Sequence, residues 1–272
     1  MFLRRTNLLP RRLLVAISLC TAVLCGCASA TPNPEEHKDD SSQALASALE
    51  NDANSVLPTQ QDIRGYKTFA YLMASPTVES FSAAEWENTT SRVPATQKAE
   101  MIDDTSITEQ VNNQCSVYEQ LGLGLVTTPG GNFQTVDGKR RRIALGQNGI
   151  NQVTGYVSVF STPSKAVASD LVSAFQNNAA HCGQALQALY PNHKDDFFFQ
   201  PVSAVDSDGT ITLAGVYSGD TFMLKVHQMD NYLVTTWFRA LNQGSSENLT
   251  DAINTIHHLA LEKIARLTSE PH

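Results

Sequence analysis

The chain has 272 residues, 42% hydrophobic and 17% charged, which supplies apolar material for one substantial core and reads as globular. Its net charge of -8 disfavours nucleic acid and anionic lipid as whole-surface partners. After the first 26 residues no stretch approaches the roughly 20 apolar residues a membrane helix needs, so a span is not expected there.

Residues 1–26 have a separate job. Arg4, Arg5, Arg11 and Arg12 precede residues 13–24, an apolar run of 12 with no charge. A basic start followed by an apolar core too short for a permanent span is the pattern of a secretory signal. The surroundings of Arg11-Arg12 match a twin-arginine signal poorly, so general secretion is expected. Removing this segment takes away four Arg and no acid, leaving 15 Lys and Arg against 27 Asp and Glu, a net charge of -12.

The segment Leu24-Cys25-Gly26-Cys27 resembles the lipobox of bacterial lipoproteins, in which Leu, a small residue and Gly or Ala precede the acylated Cys. Cys25 stands in its tolerant position. Cys27 is therefore expected to be lipidated and to hold the protein at the cell membrane, facing the extracytoplasmic side. A diacylglyceryl group brings two chains, which suffices for stable anchoring. The alternative is free secretion by cleavage after Ala30, since Ala28-Ser29-Ala30 is a good site for ordinary signal removal. A cut before Cys25 is disfavoured by the bulk of Leu24. Under either surviving cut Cys115 and Cys182 are the remaining unmodified thiols, and in an oxidising compartment they are expected to pair.

Residues 27–56 read as a lipid-anchored, largely disordered tether, rich in Pro, acids, Ser and Ala, with at most a nascent helix over residues 43–50. The folded domain is expected over residues 57–272, opening at Leu57-Pro58, with Thr59 capping a short helix and residues 60–62 near its positive end. Residues 75–112 are polar in stretches and predict irregular structure. Residues 123–127 suggest a strand, Pro129-Gly130-Gly131 a turn, and Val136-Asp137-Gly138-Lys139 a hairpin turn leading into residues 141–147. Alternation over residues 152–160 argues for a strand. Thr162-Pro163 then starts a helix expected over residues 163–182, with Val167, Leu171 and Phe175 on one face. After residues 197–205 and the turn Asp206-Ser207-Asp208-Gly209 come three runs, 210–217, 221–228 and 231–239, whose short polar connections fit an antiparallel meander. A helix over residues 246–267 closes the chain. The class is α+β: a mainly antiparallel sheet with helices packed on one face, and one disulfide.

Leu57-Pro58 with Asp62, Gln114-Cys115 at the edge of the sheet, and residues 152–160 running into an Ala-rich helix that ends in His181-Cys182 carry a resemblance. The chain resembles the extracellular sensor domain of mycobacterial receptor-type Ser/Thr protein kinases of the PknH kind, a domain found also in actinobacterial lipoproteins without a kinase. The resemblance covers roughly residues 57–267. It implies a cleft-bearing extracytoplasmic domain that binds a ligand, and no kinase activity. Members often carry two disulfides where this chain has one Cys pair, and an aromatic before the helix-terminal Cys where this chain has Asn177-Asn178-Ala179-Ala180-His181.

Catalytic motifs are weak. Gly215-Val216-Tyr217-Ser218-Gly219 places its Ser one position too late for a nucleophile elbow, and Gly122-Leu123-Gly124 lacks the third glycine of a dinucleotide fingerprint. Asp206-Ser207-Asp208-Gly209 lacks the distal acid of a calcium loop. His193-Lys194-Asp195-Asp196 encloses a cation, and neighbouring His257 and His258 point about 100° apart on a helix. No cofactor, metal or enzymatic activity is expected. The basic run Lys139-Arg140-Arg141-Arg142 offers an anion or partner contact, or keeps a hairpin edge soluble and unpaired. Trp86, Tyr156, Tyr217 and Trp237 are candidates to line a cleft or to fill core. Two functions follow: a non-catalytic ligand-binding, sensor-like domain, or an accessory lipoprotein that scaffolds cell-wall polymer or protein partners in the envelope. Mass spectrometry of membrane-extracted protein is expected to find a diacylglyceryl group on Cys27; an unmodified N-terminus at Thr31 would overturn the anchor.

Overall fold

Alternation of buried and partly exposed side chains along β6, Asp220–Met229, and along β3, Ile150–Ser161, marks these strands as lying in a sheet with two different faces. In the structure, a computed structural model, seven strands form one antiparallel sheet of order β1-β2-β3-β7-β6-β5-β4. The others are β1 (Leu72–Phe81), β2 (Asp137–Gln147), β4 (Phe197–Phe199), β5 (Ile211–Tyr217) and β7 (Tyr232–Ala240). The structure describes residues 40–64, 72–81, 103–120, 137–147, 150–200, 205–240 and 246–269, all within the unit Lys38–His272.

Five α-helices accompany the sheet: α1 (Asp40–Asn51), α2 (Gln60–Arg64), α3 (Thr105–Gln120), α4 (Lys165–Leu189) and α5 (Ser246–Ser269). Each long helix buries a stripe at helical spacing. On α4 it runs through Ala168, Leu171, Phe175, Ala179, Cys182, Leu186 and Leu189. On α5 it runs through Leu249, Ile253, Ile256, Ala260 and Ile264. Ser164 caps α4 by accepting from Val167 N–H at 3.3 Å, so the helix starts later than Thr162-Pro163 predicts. Thr162 instead donates its hydroxyl to the Asn231 carbonyl at 2.8 Å. The helix also runs on past Cys182 and stops at Tyr190, where Pro191 follows.

The α+β class, the antiparallel sheet and the Cys115–Cys182 disulfide are as expected, with the two Cα atoms 4.9 Å apart. The covering of the sheet is not one-sided. In β7 the neighbours Leu233 and Val234 point to opposite faces and join different cores, one built with α3 and α4, the other with α1 and α5. A strand buried on both faces, as Tyr232 to Thr236 are, requires cover on both.

Four further expectations are corrected. The folded unit does not begin at residue 57: Leu45, Ala48 and Leu49 of α1 are buried with α5, and Val56 and Leu57 are fully buried. Three apolar residues on one helical face were enough to dock a segment whose composition reads as tether. Residues 75–112 are not irregular throughout, since they include most of β1 and the first half of α3. Gln114 and Cys115 lie on α3 rather than on a strand. Asp137-Gly138-Lys139 is not a turn, because these residues pair with Ser161, Phe160 and Val159. The expected strand at 123–127 and turn at 129–131 lie outside the described residues, as does the signal and Cys27.

The connections of the closing meander are as short as expected. Ser218 and Gly219 take φ of 51° and 79° between the paired residues Tyr217 and Asp220, the conformation a two-residue hairpin needs. Thr59 and Asp62 form the cap of α2: the Thr59 hydroxyl accepts from Asp62 N–H at 3.3 Å, and the Asp62 carboxylate accepts from Thr59 N–H at 2.7 Å.

Because α1 belongs to the core, Leu45→Ala is expected to lower unfolding free energy by about 2–5 kcal/mol in urea titration. A solvated tether at this position would give no change.

Candidate functional site

One face of the sheet changes character along the strand order. Over β5 and β6 it is apolar, with Leu213, Phe222, Leu224 and Val226 buried under α3 and α4. Over β7, β3 and β2 the same face turns polar. Strand pairing lays out its rows: Arg142, Tyr156, Trp237 and Leu224 form one, and Arg140, Ser158, Thr235 and Val226 the next. Thr154 and Arg239 stand alongside.

The Tyr156 and Trp237 rings lie 6.1 Å apart, tilted by 40°. The Arg140 guanidinium sits 4.4 Å from the Tyr156 ring centre and pairs with Glu79 of β1 at 2.8 Å. Arg239 pairs with Asp220 at 3.5 Å. Arg142 is exposed and has no ion-pair partner among the described residues. At the floor, Ser158 and Thr235 are 1% and 0% exposed, and neither hydroxyl has a hydrogen-bond partner among the described residues. A buried unpaired hydroxyl costs about 1–3 kcal/mol. Arg141 Nε and His257 Nε2 are likewise buried without a partner among the described residues.

Gly155 sets the spacing of the two strands that carry the rings. A Cβ there would fall 1.8 Å from the Trp237 carbonyl oxygen and 2.3 Å from the Phe238 ring, so only glycine permits this approach.

The basic run does not form one patch. The pleat sends Arg140 and Arg142 to this face and Lys139 and Arg141 to the other. Nor is β2 an edge, since β1 and β3 flank it, which overturns the expectation of an unpaired basic edge. Lys139 Nζ donates to Ser80 Oγ at 2.6 Å. Arg141 is 2% exposed and donates to Asn54 Oδ1. Burial lowers its pKa against the opposing charge of Asp62. Asp62 is itself anchored: burial works against its charge, but the hydrogen bonds from Lys263 at 2.7 Å and from Thr59 hold its carboxyl below the usual range. These residues tie α2, α5 and β2 together and are structural.

The segment around Cys115 packs into the core against α4 and the sheet. Val111, Cys115 and Tyr118 are fully buried, and the Tyr118 ring packs on Phe175 and Phe199 while its hydroxyl donates to the Phe175 carbonyl at 2.8 Å. Tyr217 packs on Phe197 in the core, and Trp86 lies outside the described residues. Ser218 is an exposed turn residue. Asp206 to Gly209 form the expected turn, closed by Asp208 accepting from Thr210 N–H at 2.9 Å. His193 lies 3.2 Å from Asp196 on an exposed 3-10 turn. A recess of about 250 Å³ between the start of α1, the β6–β7 turn and the end of α5 is lined in part by Ser42, Asp230 and Tyr232. Hydrogen bonds among these three residues satisfy one another there.

No family model and no curated protein matches the chain. Among solved structures, the extracellular domain of PknH from Mycobacterium tuberculosis is similar, with 8% identity over 78% of this chain and 94% of that one, at a TM-score of 0.37. No helix among the described residues is long and apolar enough to cross a membrane.

Under the opposite face, His257 of α5 is 3% exposed, with Nδ1 3.0 Å from the Thr236 hydroxyl. Burial first, then the charges of Lys225, His227 and His258, against that of Asp208, push its pKa down to about 3. The unfolded chain takes up this proton below about pH 6.5 and the folded one does not, so stability falls as pH falls. His257 is expected to contribute a slope of at most about 1.4 kcal/mol per pH unit between pH 6.5 and 4, and His257→Gln to remove that share in urea titrations at each pH, leaving the part from His227, whose pKa burial also lowers.

Proposed function

We propose that this chain is a non-catalytic extracytoplasmic ligand-binding domain of the sensor type, held at the cell membrane through lipid on Cys27. The signal pattern and lipobox of the sequence support the address. The observation that carries the binding reading is Arg142, exposed, without an ion-pair partner among the described residues, and set across the strand pair from half-exposed Tyr156. A few convergent polar groups beside aromatic surface are what binding sites offer. The reading as an envelope scaffold is weakened by the basic run: of its four cations Arg142 alone has no partner among the described residues.

A thermal-shift screen of the full chain against fractionated envelope lipids and wall fragments tests this. Some fraction is expected to raise the melting temperature, and Arg142→Gln to abolish that rise. Separately, Ser158→Ala with Thr235→Val, which removes two unpaired buried hydroxyls, is expected to leave the protein at least as stable. A flat response across the panel would sink the proposal.

A further inference from the structure

The two cores on the faces of the sheet differ in what they enclose. The one built with α3 and α4 is apolar and cross-linked by Cys115–Cys182, and the histidines on its side, His181 and His193, are exposed. Burial pushes the Tyr118 hydroxyl above its ordinary pKa, so it stays neutral in acid. The α5 layer instead closes over bases. His257 of α5 stands on Thr236 of β7; Lys225 of β6 lies beside Thr236 in register, and His227 follows two residues along the same face.

Few acids face this group. Lys225 is taken by Asp206 at 3.1 Å, and Asp208, which acts on both histidines, is held by Thr210 N–H. His227 has Nδ1 3.2 Å from the Thr210 hydroxyl. On α5, His258 and Arg266 share Glu262, and Lys263 is paired with Asp62, which also faces Arg141 of β2. Asp251 and Glu50 are exposed, while α1 turns Leu45, Ala48 and Leu49 inward and β3 turns Val153, Val157 and Val159. A proton on His257 would thus add a cation beside Lys225 and His227, with Nε2 lacking a partner among the described residues. Its uptake requires α5 to leave the sheet.

We propose that α5 is an acid-opened lid: it lifts from β6 and β7, protonation of His257 and His227 holds it open, and the disulfide-linked layer of α3 and α4 stays on the other face. Parts of a domain open with their own free energies, and separate cores on opposite faces provide the division. Helix α1 goes with the lid, since it meets the fold mainly through α5. Opening therefore lengthens the free chain between an anchored Cys27 and the folded remainder.

Native-state amide hydrogen exchange of the full chain at pH 6.5, 5.5 and 4.5, with the intrinsic rates divided out, is the test. Amides of α5 are expected to exchange through an opening at least about tenfold more populated than the one that exposes α4, with α1 opening at least as readily. That opening is expected to grow by about tenfold per pH unit, as for the uptake of one proton. His227→Gln with His257→Gln is expected to remove the growth. Exchange of α4 together with α5 would make the event global unfolding and overturn the lid, as would growth that persists in the double variant or an α5 opening indifferent to pH. Should His257→Gln fail to fold, His227→Gln alone, at a half-buried position, is expected to reduce the growth, and no reduction would overturn the role of the histidines. The comparison of α5 with α4 in the unsubstituted chain decides the lid in either case.

Discussion

The seam between β3 and β7 holds the sheet together, and it depends on the absence of one side chain. On one side of it lie β1, β2 and β3; on the other, the meander of β5, β6 and β7 with β4 at its edge. No hydrogen-bonded strand pair other than β3 with β7 joins the two groups among the described residues. Gly155 sits on that seam with the Trp237 carbonyl where its Cβ would be. Without this approach the helices on either face would have two half-sheets to cover, and Tyr156 would not meet Trp237.

The seam also explains why burial is lopsided. From Tyr232 to Thr236 each face of β7 is committed to a different core, so that part of the strand has no solvent side on which to place polar groups. The three buried serine and threonine residues of β3 and β7 are accommodated differently. Thr236 faces α5 and finds His257. Ser158 and Thr235 face the other way and find no partner among the described residues. The first is a structural polar contact, although His257 Nε2, like the hydroxyls of Ser158 and Thr235, has no partner among the described residues.

Much of the fold was legible from residues 150 onward, where alternation in β3, β5, β6 and β7 and the apolar stripes of α4 and α5 are strong, and where the turn residues Ser218-Gly219 and Asp230 carry their own conformational signal. Residues whose pattern was weak were misread for physical reasons. Helix α1 shows only Leu45, Ala48 and Leu49 to its partner, and its remaining residues look like those of a solvated linker. Strand β1 lies at an edge, where Pro76 and a register shift between Ala74 and Val78 break its alternation, and α3 has few apolar residues because the disulfide and the Tyr118 ring hold it. Of the site, Tyr156 and Trp237 were visible as aromatics at strand positions, and Arg140 and Arg142 as half of a basic run. Ser158, Thr235 and Arg239 were not, since their meaning comes from the register between strands far apart in the chain.

The docking of α1 alters the mechanics of attachment. A tether over residues 28–56 would extend to roughly 100 Å. With the helix from Asp40 packed against α5, and its early residue Ser42 bonded to Asp230 and Tyr232, at most the 12 residues 28–39 separate Cys27 from that helix, a length of chain that cannot span more than roughly 40 Å. Anchored at Cys27 as proposed, the domain would patrol a thin shell just above the bilayer, with the ligand supply limited to molecules that enter that layer.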